Sequence, residues 1–241
     1  MSEKTALIVG GGTGMGLGIA AALADAGYRV AIAGRREEVL RQAAAKVNTV
    51  PPILTHAVDV ADRASVSQLF QWTLDELGAI DVLVNSAGTN IKTRSMADMA
   101  PEQWDEVLAI NVTGAYNCLY AVLPHMRQRG DGLIINISSI AGLRAYEIGG
   151  IAYIASKFAM SSLGTAVGNE VAADGVRITT VYPGEVNTPL LDKRPEPVSD
   201  ERKANMLQPE DVGQLVAAIA ALPPRAHIPD VVLKPRLQEF C

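Results

Sequence analysis

The chain has 241 residues, of which 49% are hydrophobic, and its formal net charge is -5 at pH 7. This length can bury a substantial core, and the interspersed acidic and basic residues argue against a nucleic-acid surface. No apolar run approaches the roughly 18 residues of a membrane span. Cys118 and Cys241 lie far apart without metal-ligand spacing, which predicts no metal site and a reduced, cytoplasmic protein.

A buried strand is predicted at residues 6–9, and a helix at 17–26. Between them lies a glycine-rich loop with the spacing Gly10-x3-Gly14-x-Gly16. A helix N-terminus offers unpaired N–H groups and a partial positive charge, and glycines allow a pyrophosphate to approach the backbone. We interpret the loop as a cradle for a dinucleotide. The alternative is that the glycines serve only the close packing of the helix on the sheet.

The remaining elements alternate between strand and helix. Strand patterns recur at 29–33, 53–58, 80–85, 133–137, 176–181 and, less clearly, 231–234. Helical patterns occupy 37–47, 62–77, 101–129 with a possible break near Gly114, 152–173 and 209–221. This alternation predicts one α/β domain over residues 1–241, a doubly wound Rossmann-type parallel sheet of about seven strands in the order 3-2-1-4-5-6-7. Ligands of such folds bind beyond the carboxyl ends of the strands.

The end of the second strand bears on the choice of nicotinamide cofactor. An acidic residue about 20 positions after the glycine loop is typical of NAD-binding proteins. Here that position is Gly34, followed by Arg35 and Arg36. Guanidinium groups bind a 2′-phosphate that a carboxylate would repel, so NADP is favoured and NAD stays an alternative. The arginines could instead only solvate the next helix, with Glu37 or Glu38 reaching a ribose hydroxyl.

The third and fourth strand ends carry weaker signals. Asp59 could accept a hydrogen bond from an adenine amino group, although capping the next helix is an equally ordinary task for it. The small residues of the turn Asn85-Ser86-Ala87-Gly88 could let a cofactor lie flat against the backbone.

The region after the fifth strand points to the reaction. Tyr153 and Lys157 are four residues apart on a predicted helix and therefore share one face. An ammonium at roughly 5 Å, in an effective dielectric of about 20, favours phenolate by about 3 kcal/mol, or roughly two pK units. We therefore expect a lowered pKa for Tyr153, which suits a general acid/base, with Ser139 holding the substrate oxygen. A solvated Tyr–Lys pair is the structural alternative.

Together these motifs resemble the short-chain dehydrogenase/reductase family in its short, single-domain form. They occur in the family's order over essentially the whole chain: Gly10-x3-Gly14-x-Gly16, Asp59, Asn85-Ser86-Ala87-Gly88, Asn111, Ser139, Tyr153-x3-Lys157 and Pro183-Gly184-x3-Thr188. The resemblance implies an NADP(H)-dependent oxidoreductase in which a hydride passes between nicotinamide and a carbonyl or secondary alcohol. It further implies a homodimer or homotetramer, formed through the helices that contain residues 116–129 and 152–173.

The resemblance also assigns roles to individual residues. Tyr153 moves the proton, Ser139 holds the oxygen, Lys157 lowers the tyrosine pKa and contacts the nicotinamide ribose, and Asn111 holds a water. The full set predicted to bind the cofactor is Gly10, Gly12, Thr13, Gly14, Met15, Gly16, Arg35, Arg36, Asp59, Val60, Asn85, Ala87, Gly88, Tyr153, Lys157, Pro183, Gly184, Val186 and Thr188.

Some positions depart from the family pattern. Val9 replaces a threonine and Ser86 an asparagine, and the sequence near the C-terminus lacks the usual Asp-Gly-Gly, which leaves the last strand less certain. Ser138 and Ser139 compete for the serine role. We choose Ser139 because it matches the second serine of the family's Asn-x-Ser-Ser pattern. It precedes Tyr153 by one residue more than is common, which indicates an insertion at 146–148.

Substrate contacts are expected from the loops 89–95, 141–151 and 189–207, the last acting as a short lid over a compact, small-molecule substrate. Lys193 and Arg194 are interpreted first as a solvated face of this lid and second as an anion site. Arg144 could hold a carboxylate. Two other functions are alternatives: a non-catalytic NADP(H)-binding regulatory protein, and an epimerase or dehydratase, which generally needs an additional substrate domain after Thr188.

Overall fold

The computed structural model describes residues 3–239, and its seven strands form a single sheet. The strands are β1 Thr5–Val9, β2 Arg29–Gly34, β3 Leu54–Ala57, β4 Val82–Asn85, β5 Gly132–Ile137, β6 Val176–Pro183 and β7 Asp230–Leu233. Every neighbouring pair is parallel, and the order is β3-β2-β1-β4-β5-β6-β7. The predicted doubly wound α/β fold and its strand order are confirmed.

Eight α-helices lie within the described residues. They are α1 Gly14–Asp25, α2 Glu37–Val47, α3 Arg63–Leu77, α4 Pro101–Leu108, α5 Gly114–Arg129, α6 Ile151–Val171, α7 Asp200–Ala204 and α8 Pro209–Ala220. Two of them differ from the sequence prediction. Helix α1 starts inside the glycine loop rather than at residue 17, and α7, which was not predicted, lies in the segment expected to form a lid.

The sheet is covered on both faces, which explains why its central strands are continuously apolar. Along β1, Ala6 and Ile8 belong to the core cluster that contains residues of α1 and α8. Leu7 and Val9 belong to the opposite cluster, with residues of α3 and α5. The site-forming loops are therefore anchored by strands that are buried from both sides.

The break expected near Gly114 is a widened helical turn instead. A π-helical turn, Ala109–Thr113, joins α4 to α5 without interrupting the helical path. A Cβ atom at Gly114 would lie 2.6 Å from Cγ2 of Val60. The glycine is therefore required by close packing against the loop after β3, and it does not end the helix.

This continuous helical segment bears on the expectation that no apolar stretch is as long as a membrane span. Within residues 3–239, the segment 101–129 is long and apolar enough to cross a membrane by length and composition alone. Core helices of soluble proteins meet the same criterion, and Cys118, Leu119 and Val122 of this segment are buried in the core. Cys241 lies outside the described residues.

Candidate active site

The glycine loop is shaped by two close backbone approaches. Gly10 has a φ of +89°, and a Cβ atom there would lie 2.5 Å from the backbone nitrogen of Ala87. A Cβ atom at Gly16 would lie 2.1 Å from the carbonyl oxygen of Gly10. Both contacts are closer than any side chain tolerates. Close packing alone therefore explains the glycine at position 16, as the structural alternative proposes. The loop as a whole nevertheless lines a cavity.

This first cavity, of about 280 Å³, runs along the loop and the start of α2. Its lining includes thirteen of the residues predicted to bind a cofactor: Gly10, Gly12, Thr13, Gly14, Met15, Gly16, Arg35, Arg36, Asp59, Val60, Ala87, Gly88 and Thr188. Asn85 does not belong to the lining. Its side chain is turned into the sheet, where its amide nitrogen Nδ2 donates to Oδ1 of Asn136 at 2.9 Å.

Two arginines line the cavity at the end of β2. Arg35 and Arg36 are exposed and form no ion pair with any residue that the structure describes. The acids that follow are engaged along α2: Glu37 pairs with Arg41, and Glu38 accepts a hydrogen bond from Gln42 at 2.9 Å. The edge of the cavity is therefore positive.

Asp59 is not the cap of the next helix. Its Oδ1 accepts a hydrogen bond from the backbone N–H of Ala61 at 3.0 Å. The residue that caps α3 is Asp62, whose Oδ1 accepts from the N–H of Ala64 at 2.9 Å. Because Asp62 is the cap, capping does not account for Asp59, which instead lines the first cavity.

A second and larger cavity, of about 760 Å³, opens beyond the carboxyl ends of β5 and β6. The predicted site residues on its wall are Met15, Ser139, Tyr153, Pro183, Gly184, Val186 and Thr188. The three loops expected to contact substrate contribute further residues, among them Arg94, Tyr146 and Arg194. The two cavities share Met15, Thr188 and Leu190 in their linings and therefore adjoin each other.

The two neighbouring serines point to different places. Ser138 is buried, and its Oγ donates to the carbonyl oxygen of Lys157 at 3.2 Å. Ser139 accepts from the backbone N–H of Ala141 at 3.1 Å, and its hydroxyl lowers the pKa of the phenols of both Tyr146 and Tyr153 by hydrogen bonding. Of the two serines, only Ser139 meets the predicted tyrosine.

Tyr153 and Lys157 lie close together on α6, as the spacing predicts. The Nζ atom of Lys157 is 5.6 Å from the centroid of the Tyr153 ring and donates to the carbonyl oxygen of Ile137 at 2.9 Å. The expected lowering of the tyrosine pKa is not found, because burial raises the pKa of Tyr153 to about 12. Burial also lowers the pKa of Lys157 to about 8. Loss of solvation is the largest influence on the pKa of both groups, and Lys157 is not among the groups that lower the pKa of Tyr153.

Asn111 sits in the π-helical turn and is fully buried. Its Oδ1 accepts from the backbone N–H of Thr89 at 2.8 Å, and its Nδ2 donates to the carbonyl oxygen of Thr89 at 3.0 Å and to Oγ of Ser156 at 2.9 Å. A Cβ atom at Gly88 would lie 3.5 Å from Oδ1 of Asn111 and 3.7 Å from Nζ of Lys157. Asn111 therefore fixes the loop after β4 directly beside the ammonium.

The lid segment is tied down by a small ion-pair network. Arg194 and Arg202 approach the same carboxylate oxygen of Glu185 at 2.8 and 2.7 Å. Burial alone would raise the pKa of Glu185, but the hydrogen bonds from these arginines hold it below its usual value. The side chain of Arg194 is only 14% exposed, so placing it on a solvated face was wrong, whereas Lys193 is exposed.

Sequence reasoning missed three residues of the larger cavity. The sequence marks Tyr146 only as part of an insertion, yet it lines the cavity and Ser139 lowers the pKa of its phenol. Arg94 and Glu185 were not singled out, although both line the cavity. Arg94 lay within a loop that was predicted to contact substrate, which is the one signal that could have found it.

A family model described as short chain dehydrogenase matches residues 4–198. An uncharacterized oxidoreductase of Staphylococcus saprophyticus is 34% identical over 239 residues, covering 98% of both chains.

Two solved structures superpose closely on this fold. An alcohol dehydrogenase from the archaeon Thermococcus sibiricus, complexed with 5-hydroxy-NADP, matches with a TM-score of 0.89 and 26% identity, covering 99% of each chain. The closed form of a serine dehydrogenase complexed with NADP⁺ matches with a TM-score of 0.88 and 28% identity, covering 98% of this chain and 96% of the other.

Proposed function

This chain belongs to the short chain dehydrogenase family of oxidoreductases, and from that premise we propose that it is an NADP(H)-dependent enzyme that interconverts a carbonyl compound and the corresponding alcohol. One observation carries the proposal. Ser139 and Tyr153 meet on the wall of a large cavity, beside a cavity lined by the glycine loop, and Lys157 lies against the ring of Tyr153.

The first cavity fits the dinucleotide. Glycine backbone at the N-terminus of α1 would face the pyrophosphate, and Arg35 and Arg36 would bind the 2′-phosphate in the space left by Gly34. Asp59 would serve the adenine. When bound, the nicotinamide supplies or accepts the hydride. The 5-hydroxy-NADP and the NADP⁺ bound to the two related structures support NADP(H) as the cofactor.

Tyr153 would donate the proton when a carbonyl compound is reduced. With a pKa of about 12 in the free chain, its phenol is protonated at neutral pH and ready to act as an acid. Ser139, which lines the same cavity and lowers the pKa of that phenol, would hold the substrate oxygen beside it. In the opposite direction the same phenol must lose its proton, and the nearby positive charge of Lys157 would favour that step.

Lys157 and Asn111 would support the proton transfer by Tyr153. A pKa of about 8 leaves Lys157 mostly charged at pH 7. Its bond to the carbonyl of Ile137 fixes the ammonium, and the Asn111–Thr89 hydrogen bonds fix the adjoining loop. Asn111 is therefore proposed as a positioning residue.

The non-catalytic regulatory alternative is not favoured, because a protein that only binds NADP(H) would not need Ser139, Tyr153 and Lys157 close together. We further propose that residues 1–241 act as one catalytic domain with a lid at 189–207. In this proposal the protein works in the cytoplasm on a small-molecule carbonyl or alcohol, and assembles as a homodimer or homotetramer.

The test is a screen of carbonyl compounds for NADPH and NADH oxidation, followed by Tyr153→Phe on the best substrate. We expect a loss of at least about a hundredfold in turnover, because general acid–base groups contribute about that much or more. NADPH binding, measured by its fluorescence, should be retained. Tyr120→Phe, which removes a hydroxyl from an exposed tyrosine of α5, is the matched control. Full turnover by Tyr153→Phe would overturn the proposal.

A further inference from the structure

Arg94 is a half-buried cation on the wall of the larger cavity. Its Nε donates to the carbonyl oxygen of Ile91 at 3.0 Å, its Nη1 to that of Ile148, and its Nη2 to that of Lys193 at 2.9 Å. Within residues 3–239, no carboxylate pairs with it. Carbonyl dipoles orient the guanidinium but carry no net charge, so its positive charge is left for another partner.

The rest of the cavity wall does not supply that partner. Four arginines and two glutamates line it, namely Arg94, Arg144, Arg194, Arg202, Glu185 and Glu239. Glu185 is already shared by two of these arginines. Even with Arg144 left out of the count, three arginines face two glutamates among the described residues of this wall, which is therefore positive in a chain whose net charge is -5. Such a local reversal of sign concentrates anions in the cavity.

This positive charge is separate from the groups proposed to hold the cofactor phosphates. Arg35, Arg36 and the glycine loop lie along the other cavity, and no arginine is common to the two linings. The charge is instead close to the reacting group, since Arg94 and Arg194 both lower the pKa of Tyr153 by electrostatic attraction. An anion bound there would lie near the oxygen that Tyr153 protonates.

We propose that the substrate is a small oxo acid or hydroxy acid whose carboxylate is bound by Arg94. This inference rests on the proposed function, because it names the substrate class of the same site. Three of the five N–H donors of Arg94 are used by backbone carbonyls, which leaves two for the two oxygens of a carboxylate. The cavity volume of about 760 Å³ is that of an ordinary small-molecule site.

The experiment measures binding to the enzyme saturated with NADP⁺, which cannot reduce an oxo compound. Calorimetry compares pyruvate, acetoacetate and 4-oxopentanoate, whose carboxylates lie at increasing distance from the carbonyl, with their methyl esters. We expect at least one acid to bind about tenfold more tightly than its ester, because a charge-assisted hydrogen bond contributes about that much. Equal binding of acid and ester in all three pairs would overturn the proposal.

Variants assign the preference to Arg94. In Arg94→Gln we expect the acid-to-ester preference to fall about tenfold while binding of the ester changes by less than about twofold. Arg94→Lys keeps the charge and should retain part of the preference. Arg127→Gln, which removes an arginine paired with Glu170 and Asp174 outside the cavity, should leave it unchanged. Equal weakening of acid and ester in Arg94→Gln would show that Arg94 only ties the loops together.

Turnover keeps the two proposals apart. NADPH oxidation is measured with the same acids and esters. If the esters are reduced as efficiently as the acids, the enzyme is a carbonyl reductase and the carboxylate assignment fails. If acids bind selectively but no carbonyl compound is reduced, the redox proposal fails while the anion site stands.

Discussion

Lys157 shows how a functional residue can cost stability. Its ammonium is almost completely buried, and within residues 3–239 its one oxygen partner is the carbonyl of Ile137. Burial places its pKa at about 8, below the ordinary value of 10.5, so the unfolded chain binds the extra proton more readily. By linkage, the free energy of unfolding should rise as pH increases from about 8 to about 10.5.

The prediction for Lys157→Met follows from that penalty. A shift of this size corresponds to roughly 3 kcal/mol at pH 7, offset by about 1 kcal/mol for the lost hydrogen bond to Ile137. We expect the variant to be at least as stable as the parent at pH 7, by up to about 2 kcal/mol, and to lose turnover. Urea unfolding at pH 7 and pH 10 measures this. A variant clearly less stable at pH 7 contradicts the buried-charge argument.

Arg35 and Arg36 should set the choice between the two nicotinamide cofactors. Both face the first cavity, and the neighbouring acids are turned along α2. Replacing both by alanine should weaken NADPH binding by at least about ten- to a hundredfold, since even one charge-assisted contact to phosphate contributes on the order of 1.5–3 kcal/mol. NADH binding should be nearly unchanged. Fluorescence titration of both cofactors checks this, with Arg127→Ala, which removes an arginine of α5 outside the cavity, as the control.

The site residues that could be predicted from the sequence are those whose spacing along one helix or strand brings them together. Tyr153 and Lys157 share a helix face, and Ser139 follows a strand, so their proximity could be predicted. The direction of the tyrosine pKa could not, because it depends on how deeply α6 is buried. Arg94 and Tyr146 come from separate loops and meet the site only through tertiary folding, and no local pattern marks them.

Among the elements, the pairing of α1 with α8 depends on a backbone contact. A Cβ atom at Gly18 in α1 would lie 2.4 Å from the carbonyl oxygen of Pro209, the first residue of α8. Helix α1 begins inside the glycine loop, so this contact also helps to hold the loop in place. Close packing thus links an element far along the chain to the cofactor cradle.

Gly18→Ala should therefore destabilise the protein by about 1–3 kcal/mol, as overpacking does elsewhere. The matched control is Gly168→Ala, also inside a helix, where the added Cβ meets nothing closer than 3.5 Å. That variant should be neutral or stabilised by up to about 1 kcal/mol, because alanine favours helix. Chemical denaturation of both variants is the measurement. Equal effects of the two substitutions would count against the close contact.

The elements that the sequence predicted best were those whose burial is uniform. Strands of a parallel sheet covered on both faces are continuously apolar, and their alternation with helices fixed the fold class. Helix α7 was missed because its five residues are too few for a periodic pattern. The π-helical turn Ala109–Thr113 was missed because the packing of Gly114 on Val60 is a tertiary contact, whereas glycine in a sequence suggests a break.

For the whole molecule, the most informative feature is an exposed aromatic surface on α5 and α6. Tyr120 is 70% exposed, and Tyr116 and Phe158 are each 42% exposed. The rings of Tyr116 and Tyr120 stack with centroids 6.1 Å apart. Exposed aromatic residues concentrated on two helices are typical of protein–protein interfaces. These are also the helices through which the resemblance implied assembly.

We therefore expect Tyr120→Glu to convert an oligomer into a monomer. A carboxylate buried at an interface without a partner is strongly unfavourable, and it also removes one of the aromatic residues that commonly dominate binding energy. Light scattering coupled to size-exclusion chromatography measures the mass of parent and variant across a range of concentrations. Val50→Glu is the control, since Val50 is 98% exposed but lies away from α5 and α6. A parent chain that is monomeric at all concentrations, or an oligomer unaffected by Tyr120→Glu, would place the interface elsewhere or nowhere.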